Sequence, residues 1–486
     1  MSKKRMIIFT SVILSVVVIS LGIVKLYQTY ALGNYIDTAS SATFDVNITK
    51  DTSVRIPANG YSNVFYMVSN TSPGTVRYGV AYTTDSAVTV KTFSTSKDPA
   101  SGMIEENGKK YVKLRLENTS STVKNIKIST ILGYTGGGEL LPPNGVTLVT
   151  DIYSPTPLAQ YITGLYTSGT KTAITNNSIN YNIVTTQSLI NDRLGGTTTD
   201  LNGGNIRYYG ASPNNYIYFN CDDYSNQTSD TCELWRIIGV FDGKVKIMRN
   251  ESIGRFSWDN KGTNSGAEST HGKNNWSDAR LMKMLNAGYK SETGGSLYWN
   301  RQSGACYSGA KADSTITCDM LSKGLKNDTT RNMIVEVTYS LLGWNDREIY
   351  ADQIYNYERI TGSVYNETTR DKNWTGKIVL PYSSDYGYAV DFNQCNRTLY
   401  YYNDSTCSGN NWMKSILGTT SYGWLLTPNV SSSYIVWYVI DGGRVTNSDY
   451  ICDLMGVTPV LFLNSELSLK EGTDGSSSNP YQIKVS

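Results

Sequence analysis

The sequence predicts three consecutive parts: one membrane-spanning helix, an all-β sandwich of immunoglobulin-like type, and a C-terminal α+β domain. Three observations carry this. An apolar run from Met6 to Val24 follows Lys3, Lys4 and Arg5. From there to Thr150, apolar and polar residues alternate in short segments bounded by turn residues, the period of half-buried strands. Beyond residue 206, strand-like runs interleave with helix-like ones, as in an α+β chain.

At about 1.5 Å per residue the first run nearly spans a bilayer core, and the basic cluster before it favours a cytoplasmic N-terminus. Its length exceeds the usual apolar core of a secretory signal. The expectation is therefore a single-pass anchor over residues 1–33, with the bulk of the chain outside the cell membrane. Thr29, Tyr30 and Ala31 also form a plausible processing site, and cleavage after Ala31 would release a secreted protein.

Residues 36–152 read as the sandwich. Val112, Leu114 and Leu116 alternate with polar residues, as do Ile126, Ile128, Thr130 and Leu132. Asn107-Gly108 is a strong hairpin turn. No helical period is present, and short strands with regular turns suggest a stalk of immunoglobulin type. Gly136, Gly137, Gly138 and then Ser154-Pro-Thr-Pro157 mark a loop and a boundary. Residues 153–205 read as a linker with one short helix, Leu158 to Tyr166, and no convincing period from Ser168 to Gly204.

The last part, 206–486, opens with Leu234–Phe241 and Lys244–Met248 flanking Asp242-Gly243, the strongest hairpin signal in the chain. A helix is expected near Ser277 and Asp278, with Leu281, Met282 and Leu285 inward, and a second over Thr330 to Leu341. Strands are expected at Lys377–Leu380, Ile435–Ile440 and Val457–Leu463.

Composition narrows the function. There are 43 Lys+Arg against 41 Asp+Glu, a net charge of +2, and 17% charged residues, so no nucleic-acid partner is expected. Tyrosine is the outlier, 37 against 9 Phe. None of the seven cysteines precedes Cys221, and six fall into local pairs: Cys221 with Cys232, Cys306 with Cys318, Cys395 with Cys407. Zinc sites use closer pairs, so these read as disulfides; neighbour with neighbour is the favoured pairing among the fifteen that six cysteines allow. Cys452 is left over.

The ordered set Leu234-Trp-Arg-Ile-Ile-Gly, Trp276-Ser-Asp-Ala-Arg-Leu, Ser384-Asp-Tyr-Gly-Tyr-Ala389, Trp424-Leu-Leu-Thr-Pro428, Gly443-Arg-Val445 and Gly456-Val-Thr-Pro-Val-Leu-Phe-Leu463 resembles a bacterial surface domain of unknown function found in gut Firmicutes. The resemblance covers roughly 206–486 and implies a C-type-lectin-like fold related to the formylglycine-generating sulfatase modifiers. Thr458 departs from the pattern, where an Arg is usual. The relatives' reactive cysteine pair has no counterpart, since Cys452 lacks an adjacent partner.

No catalytic residue, metal site or cofactor is expected. His271, the sole histidine, lies in a polar loop, and Asp222 and Asp223 read as turn residues. Trp344-Asn-Asp346 matches a tripeptide of calcium-dependent lectins but lacks their second motif and reads as a chance match. The expected function is binding: a membrane-tethered head meeting glycans or surface proteins through Asp385, Tyr386, Tyr388, Trp412 and Asn429, rigid aromatic and adaptable amide groups of the kind used in antibody loops. Trp424 and Trp437 lie in strand-like runs and could equally be core. A structural subunit and a sulfatase-modifier-like enzyme are the alternatives.

Overall fold

A computed structural model describes residues 38–40, 48–49, 53–58, 60–71, 73–92, 100–133, 140–153, 156–192, 204–262 and 266–484. The chain divides into two units, Met1–Pro155 and Thr156–Ser486.

The first unit is a two-sheet sandwich. One sheet runs in the order Asp151–Ile152, Val88–Thr92, Lys109–Asn118, Gly60–Ser69, Thr38–Ser40, Ile48–Thr49; the other runs Val146–Leu148, Val76–Thr83, Lys124–Gly133, Ser53–Ile56, with Ser101–Ile104 added beside Val76–Thr83. Both sheets feed one core. Val112, Leu114 and Leu116 meet Val54, Val80, Ile126 and Ile128 there, the residues that the period-two pattern selects. Asn107 takes a positive φ of 58°, which Asn tolerates, but the turn there is no hairpin: Ser101–Ile104 pairs with Val76–Thr83 and Lys109–Asn118 with Gly60–Ser69 and Val88–Thr92, so it links the two sheets.

The second unit is built on a nine-stranded sheet: Thr172–Asn176, Ile179–Val184, Leu189–Asn191, Ile206–Tyr208, Glu233–Phe241, Lys244–Arg249, Val460–Phe462, Ile378–Val379, with Tyr216–Phe219 paired to Glu233–Phe241. Asp242 and Gly243 both have positive φ, 47° and 73°, as a two-residue hairpin requires. A register shift falls between Ile237 and Gly239. A Cβ at Gly239 would lie 2.1 Å from the Ile206 carbonyl oxygen, so only glycine allows this approach of neighbouring strands. A five-stranded sheet packs beside it: Arg255–Phe256, Met455–Gly456, Gly423–Pro428, Val436–Val439, Val445–Thr446.

Several expectations are corrected. Among the described residues no helix is long and apolar enough to cross a membrane, and the run Met6–Val24, with the anchor span 1–33, lies outside them. The single-pass anchor, the membrane contact through an N-terminal helix and the cell-membrane location are therefore withdrawn. The fold class changes with them. The described residues are sheet-rich, with one α-helix of 11 residues, Leu158–Ser168, and every other α-helix of six or fewer. The stretch read as a linker supplies three strands of the large sheet, because Asn177 (φ 46°) and Ser178 (φ 62°) turn Thr172–Asn176 back onto Ile179–Val184. The helix expected over Thr330–Leu341 covers Asp328–Met333 only, capped by Asn327, whose side chain accepts the Thr330 N–H at 2.9 Å. Val337–Ser340 instead pairs with Asn373–Gly376, as its β-branched residues favour.

Three disulfides join Cys221–Cys232, Cys306–Cys318 and Cys395–Cys407, across sequence separations of 11, 12 and 12. Such bonds fit an oxidising, extracellular setting.

Candidate functional site

The second unit has a groove of about 480 Å³ lined by Ile179, Trp344, Asp346, Glu348, Ile349, Asp352, Gln353, Asn356 and Tyr357. Three segments converge on it: the hairpin tip at Ile179, the extended stretch from Trp344 to Ile349, and the helix Ala351–Asn356 with the π-turn Tyr357–Thr361 that continues it.

Each wall is fixed by local bonds. The Trp344 carbonyl accepts the Trp437 Nε1–H at 3.0 Å. Asn345 donates to Ser431 Oγ at 2.7 Å and accepts Asn447 Nδ2 on its carbonyl at 2.9 Å. Asp346 accepts the Glu348 N–H at 3.0 Å, a turn that sets both carboxylates on the groove while Arg347, between them, faces Thr446 and the Tyr400 ring. Gln353 accepts the Tyr350 N–H at 3.0 Å and caps the helix. The π-turn closes through Gly362 N–H to the Tyr357 carbonyl at 3.0 Å and holds the half-buried Tyr357 ring 3.9 Å from Trp344 at an interplanar angle of 7°. Such π-turns are frequent at functional sites.

Among the described residues the lining carries three carboxylates and no lysine or arginine. Asp352, held by Asn177 Nδ2 at 3.3 Å, has its proton affinity raised by burial. A smaller cleft of about 150 Å³, between Lys261, Asp278, Arg280, Lys283 and Glu292, is different. Its charges neutralise one another, with Lys283 at 3.2 Å from Asp278 and 2.9 Å from Glu292. The groove instead combines a stacked aromatic pair with acidic acceptors that no cation of the lining neutralises.

The residues expected to meet a ligand lie elsewhere. Asp385, Tyr386, Tyr388, Trp412 and Asn429 are all buried, and none lines the groove. Asp385 accepts Arg207 Nη1 at 3.0 Å and pairs with Lys246. Tyr386 donates to the Gly443 carbonyl at 3.0 Å, and Trp412 to that of Tyr208 at 3.0 Å. Tyr388 meets the Tyr181 hydroxyl at 3.5 Å, and Asn429 accepts the Ser431 N–H at 2.7 Å. Trp424 and Trp437 are core as well. The physical reason is that a Tyr or Trp polar atom with a carbonyl partner is as comfortable inside as outside.

Two groups raised by the enzyme alternative have structural places. His271 stacks on Tyr450 at 3.9 Å, with Tyr434 at 5.3 Å. Cys452 is buried, and burial, aided by Asp453, pushes its thiol up to about 11, far from the thiolate that nucleophilic or redox chemistry requires. No group of three potential metal ligands is found among the described residues.

The groove residues that the sequence does not mark as a site are Trp344, Asp346, Glu348, Asp352 and Tyr357. The available signal is the tripeptide Trp344-Asn345-Asp346, whose Trp344 and Asp346 stand in the groove wall. No family model, curated protein or solved structure matches this chain.

Proposed function

We propose that this is an extracellular binding protein whose second unit takes a glycan in the groove beside Trp344. The observation that carries the reading is the stacked Trp344–Tyr357 pair set among Asp346, Glu348, Asp352, Gln353 and Asn356. Aromatic faces pack against the C–H faces of sugar rings, and carboxylates and amides accept or share hydroxyl hydrogen bonds, the usual division of labour in a ligand site. Three local disulfides and a polar, tyrosine-rich composition support an extracellular setting. The ordered motifs that resemble a bacterial surface domain point the same way.

The acidity of the lining adds selectivity. Neutral and amine-bearing sugars are accepted, while sialylated or sulfated ones meet like charge. The test is a glycan array probed with the full chain and with Trp344→Ala. Loss of about ten-fold or more in affinity, equivalent to about 1.4 kcal/mol, is expected for Trp344→Ala. Unchanged binding by that variant, or a preference for anionic glycans, overturns the reading.

A further inference from the structure

The second unit also buries a cluster of titratable side chains, none of which lines the groove. Asp192, Arg207, Lys246, Glu358 and Asp385 are all at most 1% exposed. Lys246 sits in Lys244–Arg249, in the nine-stranded sheet, and Asp385 in the helix Ser383–Tyr388. Lys246 Nζ is in direct contact with Asp385 Oδ2. The same oxygen accepts the Tyr382 N–H at 3.0 Å, and Oδ1 is held by Arg207 Nη1 at 3.0 Å. Glu358 Oε1 accepts the N–H of Ser384, the neighbour of Asp385, at 3.3 Å, while Glu358 Oε2 is buried without a hydrogen-bond partner.

We propose that Lys246 and Asp385 condense within the folded chain into an isopeptide bond, with Arg207 stabilising the intermediate and Glu358 carrying protons. The Lys246 ammonium first passes one proton to Asp385 Oδ2, with which it is in direct contact; the Nζ lone pair so freed attacks Cγ of the neutral carboxyl and forms the C–N bond. The oxyanion resides on Oδ1 against the Arg207 guanidinium, a fixed donor of the kind that stabilises tetrahedral intermediates. Glu358 takes a proton from Nζ and returns one to Oδ2, the Cγ–Oδ2 bond breaks, and water leaves. An ammonium and a carboxylate become one amide and one water, with no oxidant, reductant or activating group required.

Two features favour the forward direction. The fold holds nucleophile and electrophile together, replacing a bimolecular encounter by an intramolecular one. Condensation also removes two buried charges whose desolvation is costly. Burial pulls the Lys246 ammonium down to about 8, against the attraction of Asp385, which eases loss of its proton; against burial, Lys246 and Arg207 hold the Asp385 carboxyl below its usual range, so the proton transfer to Oδ2 is the step the fold has to carry. Burial and the neighbouring Asp385 charge raise the proton affinity of Glu358, against Arg359, Ser384 and Thr427, as a proton carrier needs. The disulfides join positions 11 and 12 apart; this bond would tie positions 139 apart.

The test is peptide mapping of the full-length protein after reduction, alkylation and denaturation. The expected result is one cross-linked species joining the Lys246 and Asp385 peptides, lighter than their sum by one water, and absent from Lys246→Arg. Separate, unmodified Lys246 and Asp385 peptides overturn the proposal. Glu358→Gln, with its fold verified by circular dichroism, is expected to accumulate the linked species at least ten-fold more slowly. Formation at the wild-type rate removes Glu358 from the mechanism.

Discussion

Replacing Arg207 by Met leaves the Asp192 carboxylate stranded in the interior of the second unit. Arg207 is 1% exposed and Asp192 fully buried; Arg207 Nε donates to Asp192, whose other partners are the backbone N–H of Asn205 at 2.7 Å and its Nδ2. The guanidinium also packs 4.7 Å from the Tyr388 ring and 4.6 Å from that of Phe241. Met fills much of the same apolar volume, so the loss is chiefly electrostatic. Removing one partner of a buried pair costs about 3–5 kcal/mol. For a unit of about 330 residues, an unfolding entropy of about 2.1 cal/mol/K per residue turns that into a Tm lowered by about 4–7 °C. Differential scanning calorimetry of Arg207→Met reads it directly. Arg207→Met with Asp192→Asn should recover the part of the loss that comes from the unpaired Asp192 charge, while Asp385 keeps Lys246 but still lacks its Arg207 partner. A single variant melting within about 1 °C of the parent, well below the shift expected from the unfolding entropy, would show that Asp192 is not charged inside the fold, and the reasoning would fail.

Asp259, 1% exposed, is pushed up to about 6 by burial, against backbone N–H groups of Lys273 and Arg280. Its folded value lies above the unfolded 3.8, so the folded state binds the extra proton and stability from this group falls as pH rises from about 4 to 6, by about 3 kcal/mol at 1.36 kcal/mol per unit; urea titrations should show that this fall is missing in Asp259→Asn, and parallel pH profiles would refute it. Cys452, with its thiol raised to about 11, should resist Ellman's reagent at mildly alkaline pH in the native protein and react once unfolded, whereas rapid native labelling would reopen thiol chemistry there.

Much of the architecture is local in origin and was therefore legible. The alternation around Val112–Leu116 and Ile126–Ile128 picks out core-facing residues, although Ser129 and Ile131 on the other face of that strand are buried as well; the Asp242-Gly243 turn pairs Glu233–Phe241 with Lys244–Arg249. The even spacing of six cysteines anticipates loops closed by neighbours. The Thr172–Asn191 strands are short and set among Thr and Asn; the alternation of Ile179, Tyr181 and Ile183 with Asn180 and Asn182, which buries Tyr181 and Ile183, spans only five residues, and pairing with the neighbouring strands completes them.

The sequence by itself determined the strand periods, the tight turns, the disulfide spacing and the near-neutral charge, because each depends on residues close together along the chain or on composition alone. Only the tertiary structure decided the sites. Ile179, Trp344 and Tyr357 become neighbours when hairpin and helix pack together, and Arg207, Lys246 and Asp385 meet across 139 to 178 positions. It also decided which tyrosines are wet: Tyr386 and Tyr388 go inside because carbonyl and hydroxyl partners await them there, a choice that composition leaves open since the same side chain is satisfied in either place.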